Sequence, residues 1–357
     1  MWTVYAADEF NGAQRAAWEI INREYYGSHP LYDSKFVAPL LKYFSNGELV
    51  LAVERQADAP IGAALLRHQG KGVWQLFLPS QAQLGLAMFA AAPSADDMDA
   101  RLEGLLKRLP GFAWMLGLVN QDSEFSPVAK SYVSARSEVR QHTVTVSIGV
   151  KGTFDAYWQS RSKNMTGGIE RRLRKAERER AQVRLVVRRS ESDVAEAVAA
   201  HGDIESAGWK GTVGTAIHRD NLQGRFYTEV MQNFALDNGA CAYQLYLGDT
   251  LAASLLTISQ SGMMVLLKTA HVETLSAYGP GRLLDFLTLR HIFEEGAIRR
   301  IEYYTKASAD DMRWSTESRG IQHVTYYRSR LLRGAVALAR RYRSRGEESS
   351  TASPVPG

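Results

Sequence analysis

Twice along the chain a helix is followed by an antiparallel hairpin, a further strand, a second helix and a last strand. This repeated order constrains the fold more than any single motif. In the first half, Gly12–Glu24 has the apolar spacing of an amphipathic helix. Strands at 48–54 and 60–67 flank the polar turn Arg55–Ala59, a third strand lies near Val73–Leu78, and a helix is expected over Asp96–Arg108 behind Ser94 as its cap. Ala113–Val119 reads as a buried strand. In the second half a basic helix, Lys163–Arg180, leads to a strand at 183–187, helices at 193–206 and 222–238, and a hairpin of Cys241–Leu247 with Leu251–Ile258. The strand Gly262–Lys268, the helix Arg282–Glu295 and strands at 300–304 and 322–327 follow. The order implies an α+β protein with mixed, mostly antiparallel sheets flanked by helices. The expected division is 1–150 for the first unit, 151–182 for a basic linker helix, 183–345 for the second unit and 346–357 for a disordered tail.

Charge is distributed unevenly. Arg161–Arg189 holds eleven Lys/Arg against three Glu, and Arg328–Glu348 holds seven Arg against two Glu. The remainder therefore sums to −8 within a chain of net charge +5. Two basic helical surfaces on an acidic body attract phosphates, acidic proteins or nucleic acid. The single cysteine, Cys241, excludes an intramolecular disulfide framework and a cysteine-based zinc cluster, and the eight histidines show no metal-ligand spacing. No metal is expected. No stretch has the ~20 apolar residues of a membrane span. The start, Met1-Trp2-Thr3-Val4-Tyr5, lacks the pattern of a secretory signal, so cytoplasmic residence is the expectation.

The chemistry-bearing stretch is the strand–turn–helix from Val265 to Glu295. Gly279-Pro280-Gly281 lets the backbone approach a ligand, and the helix it opens directs unpaired N–H groups and a positive dipole end at whatever binds there. Arg282, in the first turn, adds a charge suited to a pyrophosphate. A simple tight turn would use the same residues.

The run Lys268-Thr269-Ala270-His271, followed by Ser276-Ala277-Tyr278-Gly279-Pro280-Gly281-Arg282-Leu283-Leu284, resembles the second GNAT domain of the CelD/BcsL-like acyltransferases, relatives of the FemABX-type double-GNAT transferases. Glu205–Ala216, with its Gly208-Trp209-Lys210-Gly211 core, and Tyr157–Ser162 before the basic helix are similar to that family as well. The resemblance spans about Phe154–Tyr327 and is faint before it. It implies tandem GNAT domains, the first degenerate, and acyl transfer from an acyl-CoA (acetyl or longer) to a small-molecule or peptide amine. Tyr278, Gly279, Gly281, Arg282 and Leu283 would bind the donor, and Trp209 and Lys210 the acceptor. Glu205 or His271 would serve as base, with Lys268 orienting the substrate or stabilising charge. Ser276 stands where Gln or Arg is usual in the GNAT phosphate loop, Pro280 separates the glycines, and His271 replaces an aromatic residue. An acyl carrier protein docked on Arg161–Arg180, an aminoacyl-tRNA donor, or a non-catalytic RNA- or protein-binding scaffold are the competing readings.

Overall fold

The computed structural model describes residues 1–207, 217–218 and 220–339. Three hairpins set its registers. Ala57 and Asp58 both have positive φ (45° and 68°) between β2 (Leu49–Gln56) and β3 (Ala59–His68), the geometry whose twist matches the flanking strands. Gly248 turns β9 (Ala240–Leu247) into β10 (Thr250–Gln260), and Ser261 and Gly262 turn β10 into β11 (Met263–His271).

The remaining strands are β1 (Trp2–Ala6), β4 (Val73–Leu76), β5 (Ala87–Phe89), β6 (Met115–Asp122), β7 (Ser137–Gly149), β8 (Val183–Arg188), β12 (Arg300–Glu302) and β13 (Glu317–Tyr327). The helices are α1 (Gly12–Tyr26), α2 (Ser34–Phe44), α3 (Ala95–Arg108), α4 (Pro127–Lys130), α5 (Phe154–Gln159), α6 (Lys163–Arg178), α7 (Glu191–Ala207), α8 (Leu222–Ala235), α9 (Pro280–Glu295), α10 (Ala309–Trp314) and α11 (330–339).

All described strands join one sheet, ordered β1-β2-β3-β4-β6-β13-β7-β12-β11-β10-β9-β8, with β5 paired to β3. Read inward from either edge, the pattern is the same: four antiparallel strands, a parallel step (β4·β6 or β11·β12), then an antiparallel neighbour. That neighbour comes from the other half. β13 lies beside β6, β7 lies beside β12, and the two pair with each other from Glu317↔Ser147 to Tyr326↔Ser137. The α+β class and the mostly antiparallel pairing follow the sequence reading, and the last strands of the two halves, β7 and β13, are exchanged within one continuous sheet. α1 and α2 share a core with α7 and α8 on one face, where Trp18, Phe36, Phe226 and Phe234 are fully buried. On the other face α3 covers the first half and α9, with α5, the second. The caps follow from sequence: the Ser94 side chain accepts from Asp97 N, and Gly27 and Gly296 close α1 and α9 in the left-handed region.

A buried ionic network lies where the halves meet. Arg319 on β13 binds Asp122 at the end of β6 (Nε–Oδ1 2.8 Å, Nη2–Oδ2 2.6 Å) and Glu302 at the end of β12 (Nη2–Oε2 2.8 Å). Its Nη2 also donates to Tyr304 Oη at 3.1 Å, and that hydroxyl lies 2.7 Å from His29 Nε2 on the opposite half. Burial pushes the carboxyl of Asp122 up, but hydrogen bonds and charge from Arg319 more than offset it and leave the pKa lowered. Burial raises Glu302 to about 7 despite Arg319 and Arg300. Removing the shared guanidinium in Arg319→Ala leaves Asp122 buried without its cation and Glu302 paired with Arg300 alone. The expected loss is roughly 3–5 kcal/mol of stability in urea denaturation. The loss should shrink at mildly acidic pH, where Glu302 is neutral in the folded state.

Candidate active site between the splayed strands

β11 and β12 pair in parallel only from Met263↔Arg300 to Val265↔Glu302. Beyond Val265, β11 keeps β10 on one side as far as His271, while the other chain parts from β11 at Tyr303 and Tyr304, the latter at φ 50°, and stays bonded to β7 through Tyr303 N and Ala307 N. The register with β10 skips Leu267, so a β-bulge bends β11 at the point of divergence. The gap holds a cavity of about 490 Å³ bordered by Leu266–Thr269, Tyr303, Asp285 from α9, Tyr227 from α8 and Gln83 from the first half. Gln83 Nε2 donates to Leu266 O at 2.9 Å, where a strand partner would otherwise sit.

The equivalent gap of the first half, between β4 and β6, is filled by its own chain. Gly85 N donates to Asn120 O at 3.1 Å, and its carbonyl accepts from Gln121 Nε2 at 3.2 Å. A Cβ at Gly85 would overlap Val119 O, so only glycine permits this approach. Phe77, Leu84 and Leu86 of the same segment are core residues.

Beside the open gap lies the start of α9. Gly279 is its N-cap at φ 61° and Pro280 its first residue, which leaves Gly281 and Arg282 as first-turn N–H groups without an intrahelical acceptor. Arg172 from α6 lies over Gly279 so closely that any Cβ there would displace it. With Arg282 and Arg313 it lines a hollow of about 250 Å³. The acid there, Asp310, is held by Arg282 (3.1 Å) and lies 3.4 Å from Arg313. Burial, and after it the nearby Arg282 and Arg171, lowers the pKa of Arg172. This hollow suits an anion.

Of the residues singled out from sequence, Gly279, Gly281 and Arg282 come together here. Tyr278 stands at the outer side, its hydroxyl on Glu179 and its ring 4.9 Å from Lys175 Nζ. His271 is exposed at the end of β11, next to Gly281. Leu283 is fully buried and its N–H bonds Gly279 O, so it supports the turn from behind. Lys268 borders the gap, its Nζ 5.5 Å from the Tyr227 ring. Glu205 is buried on the α7–α8 side, where its Oε2 accepts from Ile217 N at 2.9 Å and His201 Nε2 lies 3.7 Å from Oε1. Trp209 and Lys210 lie outside the described residues.

Sequence reasoning missed Asp285, Gln83 and Arg313. For Asp285 the signal was present: an acid among Leu283, Leu284, Phe286 and Leu287 interrupts an apolar helix face. It is half-buried at the gap, and burial, then Asp310 and Asp311, raise its pKa to about 7 against the pull of Arg282. A carboxyl raised above its unfolded value near ~3.9 holds its proton more tightly in the folded state, so stability falls as pH rises between the two values. Asp285→Asn should flatten that slope and make the variant more stable than the parent above pH ~7, measured by urea unfolding across the range.

Comparison with known proteins now bears on this geometry. Residues 163–314 match the family model of the acetyltransferase (GNAT) domain. No curated protein matches the chain. The crystal structure of FemX superposes with TM-score 0.55 at 8% identity, covering 82% of this chain and 90% of FemX. The C-terminal DUF2156 domain of an Agrobacterium fabrum protein named as a lysylphosphatidylglycerol synthetase gives 0.54 at 10% identity, covering 91% and 93%. A conserved protein of unknown function from Bacteroides thetaiotaomicron gives 0.50 at 7%, covering 78% and 86%. The chain has a GNAT/FemABX-like acyltransferase fold, with the acetyltransferase (GNAT) domain matched over residues 163–314.

Proposed function

We propose that the protein is an N-acyltransferase that moves an acyl group from an acyl thioester, acyl-CoA in the first instance, to an amine. One observation carries the reading: an open gap beside a bulged strand adjoins an arginine-lined helix start, while the matching gap in the first half is closed by Gly85. The hollow at Arg172, Arg282 and Arg313 would take the donor's phosphates, and the gap would take its thioester arm. The amine nitrogen attacks the thioester carbonyl carbon, the C–N bond forms, the C–S bond breaks and the thiol leaves. A backbone N–H at the Leu267–Lys268 bulge supplies the oxyanion donor. Lys268 orients the substrate.

We assign the proton transfer to Asp285, which borders the gap with a pKa of about 7, near the optimum for a general base. Glu205, which accepts from Ile217 N and lies near His201, and His271, exposed beside Gly281, do not border the gap as Asp285 does. The CelD/BcsL resemblance supports the same reaction class.

Native mass spectrometry with acetyl-CoA and longer acyl-CoAs tests donor binding. Arg172→Ala should weaken it by about tenfold or more through loss of a charge-assisted contact, and Gly281→Arg should abolish it. Undiminished thiol release in Gly281→Arg would end the reading. With an accepted amine, Asp285→Asn should lower kcat by roughly 10²-fold or more. It should also remove the rise of kcat/KM through pH ~7 that a base of this pKa gives.

A further inference from the structure

Away from this site, at the far end of β13, four large apolar side chains stand in solvent. Phe112 is 67% exposed, Val133 80%, Leu331 85% and Leu338 56%. They come from three segments that the structure binds together. Arg328 N donates to Trp114 O at 2.8 Å, its guanidinium donates to Ala113 O at 3.1 Å and lies 4.7 Å from the Phe112 ring, and Arg333 Nη1 donates to Ala135 O at 2.9 Å. α11 lies with Leu332 and Val336 half-buried toward the body and Leu331, Ala335 and Leu338, one helical face, turned outward.

The fully exposed charges beside these prongs are basic. Lys71, Lys130 and Arg330 are exposed around them. Of the acids nearby, Glu103 pairs with Arg136 and Lys107, Glu138 pairs with Arg140, and the half-buried Asp99 accepts from the hydroxyls of Tyr132 and Ser134. Monomeric surfaces do not gather exposed apolar residues without a partner to cover them. A protein interface would bury the arginines against specific carboxylates, whereas projecting apolar side chains interleaved with cations match the two layers of an anionic bilayer, acyl region and headgroups.

We propose that this end of the molecule is a peripheral membrane-docking surface, with Leu331, Leu338, Phe112 and Val133 entering the headgroup–acyl boundary and Lys71, Lys130 and Arg330 holding anionic headgroups. The proposal is independent of the acyl-transfer reading. Among the described residues no helix is long and apolar enough to cross a membrane.

Flotation of the full chain with vesicles provides the test. The protein should float with vesicles of phosphatidylcholine containing phosphatidylglycerol and stay behind with pure phosphatidylcholine, and ~0.5 M salt should weaken the binding. Leu331→Ser combined with Leu338→Ser changes no charge and touches only exposed positions. It should weaken flotation by roughly tenfold while leaving the melting temperature unchanged. Equal flotation of parent and double variant would overturn the proposal, as would no flotation on anionic vesicles. A concentration-dependent dimer lost in the double variant, without vesicle binding, would assign the surface to a second copy instead and equally overturn it.

Discussion

Arg319 binds the last residues of two strands that the chain order places far apart, Asp122 of β6 and Glu302 of β12. These are equivalent positions in the two halves, each ending the strand that follows a parallel step. The guanidinium sits on β13, which has crossed into the first half, so one side chain fixes both strand ends to an exchanged strand. The gap depends on this. β12 pairs with β11 for three residues only, Glu302 is held to Arg319, and the chain then leaves through Tyr303 and Tyr304 instead of continuing along β11. A buried cation shared by two carboxylates is costly to assemble and more costly to break, which favours a single register over slipped alternatives. The open edge of β11 is therefore a consequence of how the halves are joined.

The two halves have the same strand pattern but not the same opening, and the difference is local. In the first, residues 77–86 fold into the space between β4 and β6, a path that requires the missing Cβ of Gly85 against Val119 O. The same segment reaches the second half, where Gln83 takes the Leu266 carbonyl. Filling one gap thus builds a wall of the other. An unpaired carbonyl on a splayed strand needs a partner, and a side-chain amide satisfies it without closing the gap as a further strand would.

Much of this architecture was legible. The hairpins, the Ser94 cap, the Gly296 stop and the turn at Gly279–Gly281 are local events written in glycine, serine and strand periodicity, and the structure places them within a few residues of the expected bounds. The strand exchange was not legible, because β7 and β13 owe their places to each other and pairing partners leave no mark in either segment alone. β7 passed unnoticed since Arg140, Gln141 and His142 expose its first part, blurring the apolar alternation. α2 was hidden by Pro39, which the helix accommodates with Phe36, Val37, Leu40 and Leu41 buried around it. Asp285 was passed over because a helix read for its apolar stripe yields its core residues, and an acid within that stripe acquires meaning only once the neighbouring strands are known to part.

The basic run of α6 shows why a charge count needs a face. Along this helix Gly168, Ile169 and Ala176 turn inward, and Arg172, on the edge of that face, is drawn over Gly279. Arg171, Arg174 and Arg178 point to solvent, with Arg174 partly satisfied by Glu170 at 3.6 Å. One residue of the run therefore belongs to the hollow at the start of α9, and the others form an exposed surface whose field falls off within about a Debye length. Arg172, Arg282 and Arg313 share the hollow with Asp310, three cations to one acid, a lining that suits an anion. Its partial burial at the start of α9, beside Arg282, sets Arg172 apart from the exposed arginines along the rest of the basic helix.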